Sequence, residues 1–128
     1  LNRGYAFPDN VGFIGDLPHR RSFSPDAAFY IGSLNGGKFL DGAPIFAAEG
    51  RSEGDYGLDA EQEMAAKRAD YFAAGTLVVW DVDVLKSKTV AVYRASYPDA
   101  PSIYRSGEIA EAEPALPGWP MAVNDLLP

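Results

Sequence analysis

A helix bounded by its own capping signals sits in the middle of this chain. The segment DAEQEMAAKRADYFAAG places Asp59 as N-cap, Gln62 at the capping-box position and Gly75 as the C-terminal stop, predicting a helix over Ala60–Ala74. What flanks it is equally legible. The apolar run Ile45–Ala48 ends on Glu49 and opens into the polar, glycine-containing GRSEGDYG, the pattern of a short buried strand followed by a loop. After the helix, TLVVWDVDV and TVAVYRA are rich in β-branched and aromatic residues and are joined by LKSK, which predicts a hairpin.

Upstream, two extended candidates, Val11–Ile14 and Ala27–Ile31, flank a proline-bearing loop and suggest another hairpin. Downstream, a strand is expected at Ser102–Arg105. The terminal EPALPGWPMAVNDLLP reads as a covering segment with at most one short helical turn, and Trp80 and Trp119 read as core or lid residues. Strands, one strong helix and more strands give an α+β domain, a mixed sheet with the helix packed on one face.

A length of 128 residues fits one domain, within the usual span of roughly 100–150, and 47% apolar with 23% charged residues is ordinary globular composition. No apolar run reaches the roughly 18 residues of a membrane span and no secretory signal pattern is present, so the expected compartment is the cytoplasm. Zero cysteines and a single histidine, His19, exclude disulfides and thiolate or multi-histidine metal sites. A metal here would need oxygen ligands. The net charge of −7 argues against whole-surface attraction to nucleic acid, although a carboxylate cluster holding a divalent cation carries charge that the cation offsets.

Two carboxylates mark strand ends: Asp26 in SPDAAFY and Glu49 after IFAA. On neighbouring strands they would converge and suit Mg²⁺ or Mn²⁺; alternatively Asp26 caps a turn after Pro25 and Glu49 is merely solvated. Lys67 is the third candidate. At about 100° per residue it falls beside Ala60, Met64, Tyr71 and Ala74 on a mostly apolar helix face. It could snorkel outward or pair with Glu63, or its ammonium could reach the carboxylates and stabilise charge on a phosphate. Asp81 and Asp83, two apart on a strand, share a face and are a lesser candidate metal pair. His19-Arg20-Arg21 is a compact basic cluster that could contact phosphate or lie in a solvated loop.

The order SPDAAFY, APIFAAEGRSEGDYG, AAKRADYFAAGTLVVWDVDV and VAVYRA resembles the Uma2 family of restriction-endonuclease-like proteins, within the PD-(D/E)xK nuclease superfamily. The resemblance runs from about Gly12 through EPALPGWPM. It implies a restriction-endonuclease-like core and a Mg²⁺- or Mn²⁺-dependent endonuclease acting on DNA, with Asp26 and Glu49 as metal ligands and Lys67 completing the catalytic set. Arg51 stands where the superfamily's lysine would lie. It cannot carry a proton, but with Tyr71 it is a candidate substrate-binding residue. Two departures accompany the match: Gly50 follows the glutamate where a branched residue is usual, and the family's N-terminal helix-and-strand portion, with its further acidic residue, is expected upstream of Leu1. Gly50, Arg51 and the acidic surface favour the alternative, a catalytically silent nuclease-like module for binding or assembly. The resemblance also makes a homodimer plausible.

Overall fold

The computed structural model describes residues 5–7, 12–14, 22–23, 27–30 and 39–126. Strands β1 (Tyr5–Phe7), β2 (Gly12–Ile14), β3 (Ser22–Phe23), β4 (Ala27–Tyr30), β5 (Phe39–Asp41) and β6 (Phe46–Gly50) precede the helix α1 (Leu58–Ala73). After it come β7 (Val78–Asp83), β8 (Thr89–Arg94), β9 (Tyr97–Arg105), β10 (Ile109–Glu111), β11 (Pro120–Ala122) and a 3-10 turn at Val123–Leu126.

The principal sheet runs β1-β4-β6-β7-β8-β9, with every neighbouring pair antiparallel except β6 and β7. Parallel neighbours cannot be joined by a tight turn, and α1 makes their crossover. The fold is therefore the α+β class expected, a mixed sheet with the principal helix packed on it. The β7–β8 hairpin also forms as the sequence predicts, in register from Val78↔Arg94 to Asp83↔Thr89.

Alternation along the central strands divides the core. Phe46, Ala48, Val78, Trp80, Val82, Val90 and Val92 face a cover made by Ala110, Ala112, Leu116, Trp119, Met121 and Val123 from the C-terminal segment. At its centre Trp80 stacks on Trp119 (centroids 5.7 Å apart) and meets the edge of Phe46 at 5.2 Å, while its indole N–H donates to the Glu111 carbonyl at 3.2 Å. Such ring pairs add about 1 kcal/mol each beyond the area they bury. The alternate residues Ala47, Glu49, Val79, Asp81, Ala91 and Tyr93 share the opposite face, against which α1 lays its fully buried Tyr71.

Several expectations are corrected. The segments Val11–Ile14 and Ala27–Ile31 form no hairpin: β2 pairs with β3 and β5 in a separate three-stranded sheet, whereas β4 pairs with β1 and β6. A long proline-bearing connection does not dictate register as a two-residue turn does, so distant partners decide it. The helix starts one turn-fraction earlier than expected, with Gly57 at the N-cap (φ 97°) and no side-chain capping bond, so Asp59 and Glu61 lie in the first turn and Gln62 closes no capping box. There the two acids favour the positive end of the helix dipole.

The C-terminal stop is as read. Thr76 N–H donates to the Tyr71 carbonyl at 3.0 Å and Gly75 N–H to that of Phe72 at 3.1 Å, a Schellman closure that requires the left-handed φ of 111° at Gly75. Strand β9 extends beyond Ser102–Arg105 to Tyr97, carrying Pro98 and Pro101 at the sheet's edge, where a missing N–H costs no ladder bond. The covering segment ends in the expected helical turn, but it also contains the unforeseen β10–β11 pair. Three-residue strands flanked by prolines are too short to show a period.

Candidate functional site

The parallel register between β6 and β7 sets Glu49 beside Asp81, both directed at α1. Two consecutive residues of the helix divide between them: Lys67 Nζ lies 2.8 Å from Glu49 Oε1, and Arg68 Nη1 lies 3.7 Å from Asp81 Oδ2. One turn further along α1, the Tyr71 hydroxyl donates to the same Glu49 Oε1 at 2.8 Å. Of the two readings that kept Lys67 away from carboxylates of the sheet, neither describes its position; its ammonium turns inward to Glu49. These groups line an open cleft of about 450 Å³ between helix and sheet, which Arg51 and Met64 also border.

Arg51 is the most heavily engaged side chain of the cleft. Its Nε and Nη2 grip Asp81 at 2.9 and 2.7 Å, Nη1 reaches the Asp55 carbonyl at 3.0 Å, and Nη1 and Nη2 both bind Glu61 in the first turn of α1, the latter at 3.1 Å. All five guanidinium N–H donors are thereby used. The hydrogen bonds to Asp81 and then Glu61 hold its pKa far above the ordinary arginine value, and the reciprocal bond from Arg51 lowers that of Glu61. A phosphate could contact this guanidinium only by displacing one of those partners. Arg51 thus joins the loop after β6, strand β7 and the start of α1.

Asp81 and Asp83 share a face of β7 as their spacing predicts, yet each is occupied separately. Asp81 holds Arg51. Asp83 accepts the Tyr56 hydroxyl at 2.6 Å, the backbone N–H groups of Leu85, Lys86 and Ser87, and the Ser87 hydroxyl at 2.9 Å, organising the β7–β8 turn. Desolvation opposes ionisation of Asp83, but the Tyr56, Lys86 and Ser87 donors outweigh it and hold the carboxyl well below its usual range. Burial, reinforced by the bond to Asp83, pushes the Tyr56 phenol up to about 12. Among the described residues no three acidic or histidine side chains gather as a metal-binding group.

Asp26 and the cluster His19-Arg20-Arg21 lie outside the described residues. The neighbour of Asp26 in the chain, Ala27, pairs with Ala48, the residue before Glu49. Sequence reading missed two participants. Glu61 lies in the first turn of α1, and no local signal links it to Arg51. Arg68 was legible in principle, since it lies four residues after Met64 and three before Tyr71 on the inward face.

A family model described as "Putative restriction endonuclease", Uma2, matches residues 1–124. Among solved structures, the fold is similar to the crystal structure of a putative nuclease belonging to DUF820 from Anabaena variabilis, with a TM-score of 0.71 and 19% identity over 97% of this chain and 68% of that one. No curated protein matches. Among the described residues no helix is long and apolar enough to cross a membrane.

Proposed function

This chain belongs to the Uma2 putative restriction endonuclease family, and on that premise we propose that it is a metal-dependent endonuclease hydrolysing DNA phosphodiester bonds in the cleft between α1 and the sheet. The observation that carries the reading is the delivery of Lys67 from the helix to within 2.8 Å of the strand-borne Glu49. An ammonium paired with a carboxylate at the edge of an open cleft is placed to stabilise charge developing on a scissile phosphate.

Glu49 offers the hard carboxylate oxygens that Mg²⁺ and Mn²⁺ take. Asp81 is spent on Arg51, so the second carboxylate is assigned to Asp26, supported by the pairing of its neighbour Ala27 with Ala48. When bound, the cation supplies Lewis acidity that makes water a stronger acid near neutral pH. Tyr71, buried beneath Glu49, fixes the orientation of that carboxylate through its hydroxyl.

The test is divalent-dependent cleavage of duplex DNA by the wild-type protein, Asp26→Ala and Glu49→Gln. Cleavage lost in both variants supports the reading; equal cleavage by all three removes it.

The second reading, a catalytically silent binding or assembly module, draws on the engagement of every Arg51 donor by protein groups at the position of the superfamily's lysine. Calorimetric titration with Mn²⁺ separates the two: saturable binding that Glu49→Gln abolishes favours the enzyme, and no saturable binding favours the silent module.

A further inference from the structure

The cleft contains two arginines in opposite situations. Arg51 has all of its donors bound. The guanidinium of Arg68, one residue after Lys67, makes no hydrogen bond among the described residues. Its approach to Asp81 Oδ2 is 3.7 Å, beyond hydrogen-bonding distance, and that oxygen accepts from Arg51 Nη2 at 2.7 Å. Yet Arg68 is not a loose surface side chain: only 13% of it is exposed, and its guanidinium carbon stands 3.9 Å over the centroid of the Tyr93 ring.

Stacking on an aromatic face fixes the plane of a guanidinium and leaves its in-plane N–H donors directed outward. The described residues contain no buried side-chain nitrogen or oxygen without a partner, so the unbonded nitrogens of Arg68 reach the water of the cleft. A cation held rigidly, with its nearest carboxylate committed elsewhere and its donors facing a cleft, is suited to an anion. Bidentate pairing with phosphate oxygens is the strongest form of that contact.

We propose that Arg68, stacked on Tyr93, is a substrate-binding residue that contacts a DNA phosphate in the cleft beside Lys67 and Glu49. Arg51 serves instead as a positioning residue that neutralises Asp81 and thereby leaves Arg68 available. The assignment rests on the nuclease reading for the identity of the phosphate, and on the contrast between the two arginines for the choice of residue.

The experiment measures affinity for a fluorescent DNA duplex across a salt series, together with KM and kcat for cleavage, for wild type, Arg68→Gln and Arg68→Lys, each checked for thermal stability. Losing one charge-assisted phosphate contact is expected to weaken binding roughly ten-fold. It also lowers the slope of log affinity against log salt by about 0.9 in Arg68→Gln. Arg68→Lys restores the slope but not the full affinity, because lysine lacks the planar fork, and KM changes more than kcat. A purely structural role would leave the salt slope unmoved.

Unchanged affinity and slope in a folded Arg68→Gln, with wild type still cleaving, overturn the Arg68 assignment alone. Binding that depends on Arg68 without cleavage by the wild-type protein overturns the nuclease reading and supports the phosphate contact. Absence of DNA binding by the wild-type protein overturns both.

Discussion

Glu49 and Asp81 stand opposite each other in the parallel register of β6 and β7, yet they carry different loads. Asp81 is gripped at both oxygens by Arg51, whereas Glu49 meets the Lys67 ammonium and the Tyr71 hydroxyl at a single oxygen, Oε1. The first arrangement braces the fold; the second places a lysine and a carboxylate together at an open cleft. The consequences for substitution differ accordingly.

Replacing Lys67 by Met should separate function from stability. Both partners of its ion pair are about a quarter to a third exposed, so solvent screening keeps the loss of folding free energy below about 1 kcal/mol. If Lys67 stabilises transition-state charge, DNA cleavage falls by roughly 10²-fold or more. Thermal melting beside a cleavage assay reads both, and full activity in the variant would exclude Lys67 from the chemistry.

Arg51→Met should do the reverse to the scaffold. It takes both Arg51 hydrogen bonds from the nearly buried Asp81 carboxylate, leaving Arg68 at 3.7 Å as its neighbouring cation, and frees Glu61 at the start of α1. Losing charge-assisted hydrogen bonds to a buried carboxylate costs about 2 kcal/mol. Urea unfolding should show that loss, and Arg51→Lys should recover little of it, since an ammonium cannot span both carboxylates as the guanidinium fork does.

The Tyr56–Asp83 pair predicts two pH effects. Asp83 is held below its ordinary 3.8, so its contribution to stability is present above that value and is lost as pH falls from it towards the lower folded value. Asp83→Asn should therefore flatten the acid limb of stability against pH. Tyr56 is raised from 10.0 to about 12, so its contribution is present below 10.0 and fades as pH rises between the two. Tyrosinate absorbance should reveal a late-titrating phenol that Tyr56→Phe removes and Asp83→Asn moves part-way back. A late titration that Tyr56→Phe removes and that is identical in wild type and Asp83→Asn would show that Asp83 does not act on Tyr56.

Gly75→Ala tests the helix stop. The Schellman closure needs a φ of 111°, which a Cβ disfavours, although nothing within 4 Å would clash with it. The cost is backbone strain alone, about 1–2 kcal/mol, seen as a lower Tm with cleavage unaffected.

What the sequence determined by itself is the set of elements whose cause is local. The stop of α1 follows from Gly75, and the β7–β8 hairpin from two β-branched runs a few residues apart. The placement of Lys67 on the inward helix face follows from a period of about 3.6 residues. The position of Glu49 at the end of an apolar strand was equally legible. Tertiary structure decided which strands became neighbours, because pairing between β4, β6 and β7 joins segments separated by loops and a whole helix, and alternation specifies a face but not a partner.

That parallel pairing set Asp81 beside Glu49, and only then did Arg51 acquire a carboxylate 30 residues away. The strand partners commit Arg51 to the scaffold and leave Arg68 over the ring of Tyr93. A side chain's available donors depend on what the fold brings to it, and spacing along the chain carries no record of that.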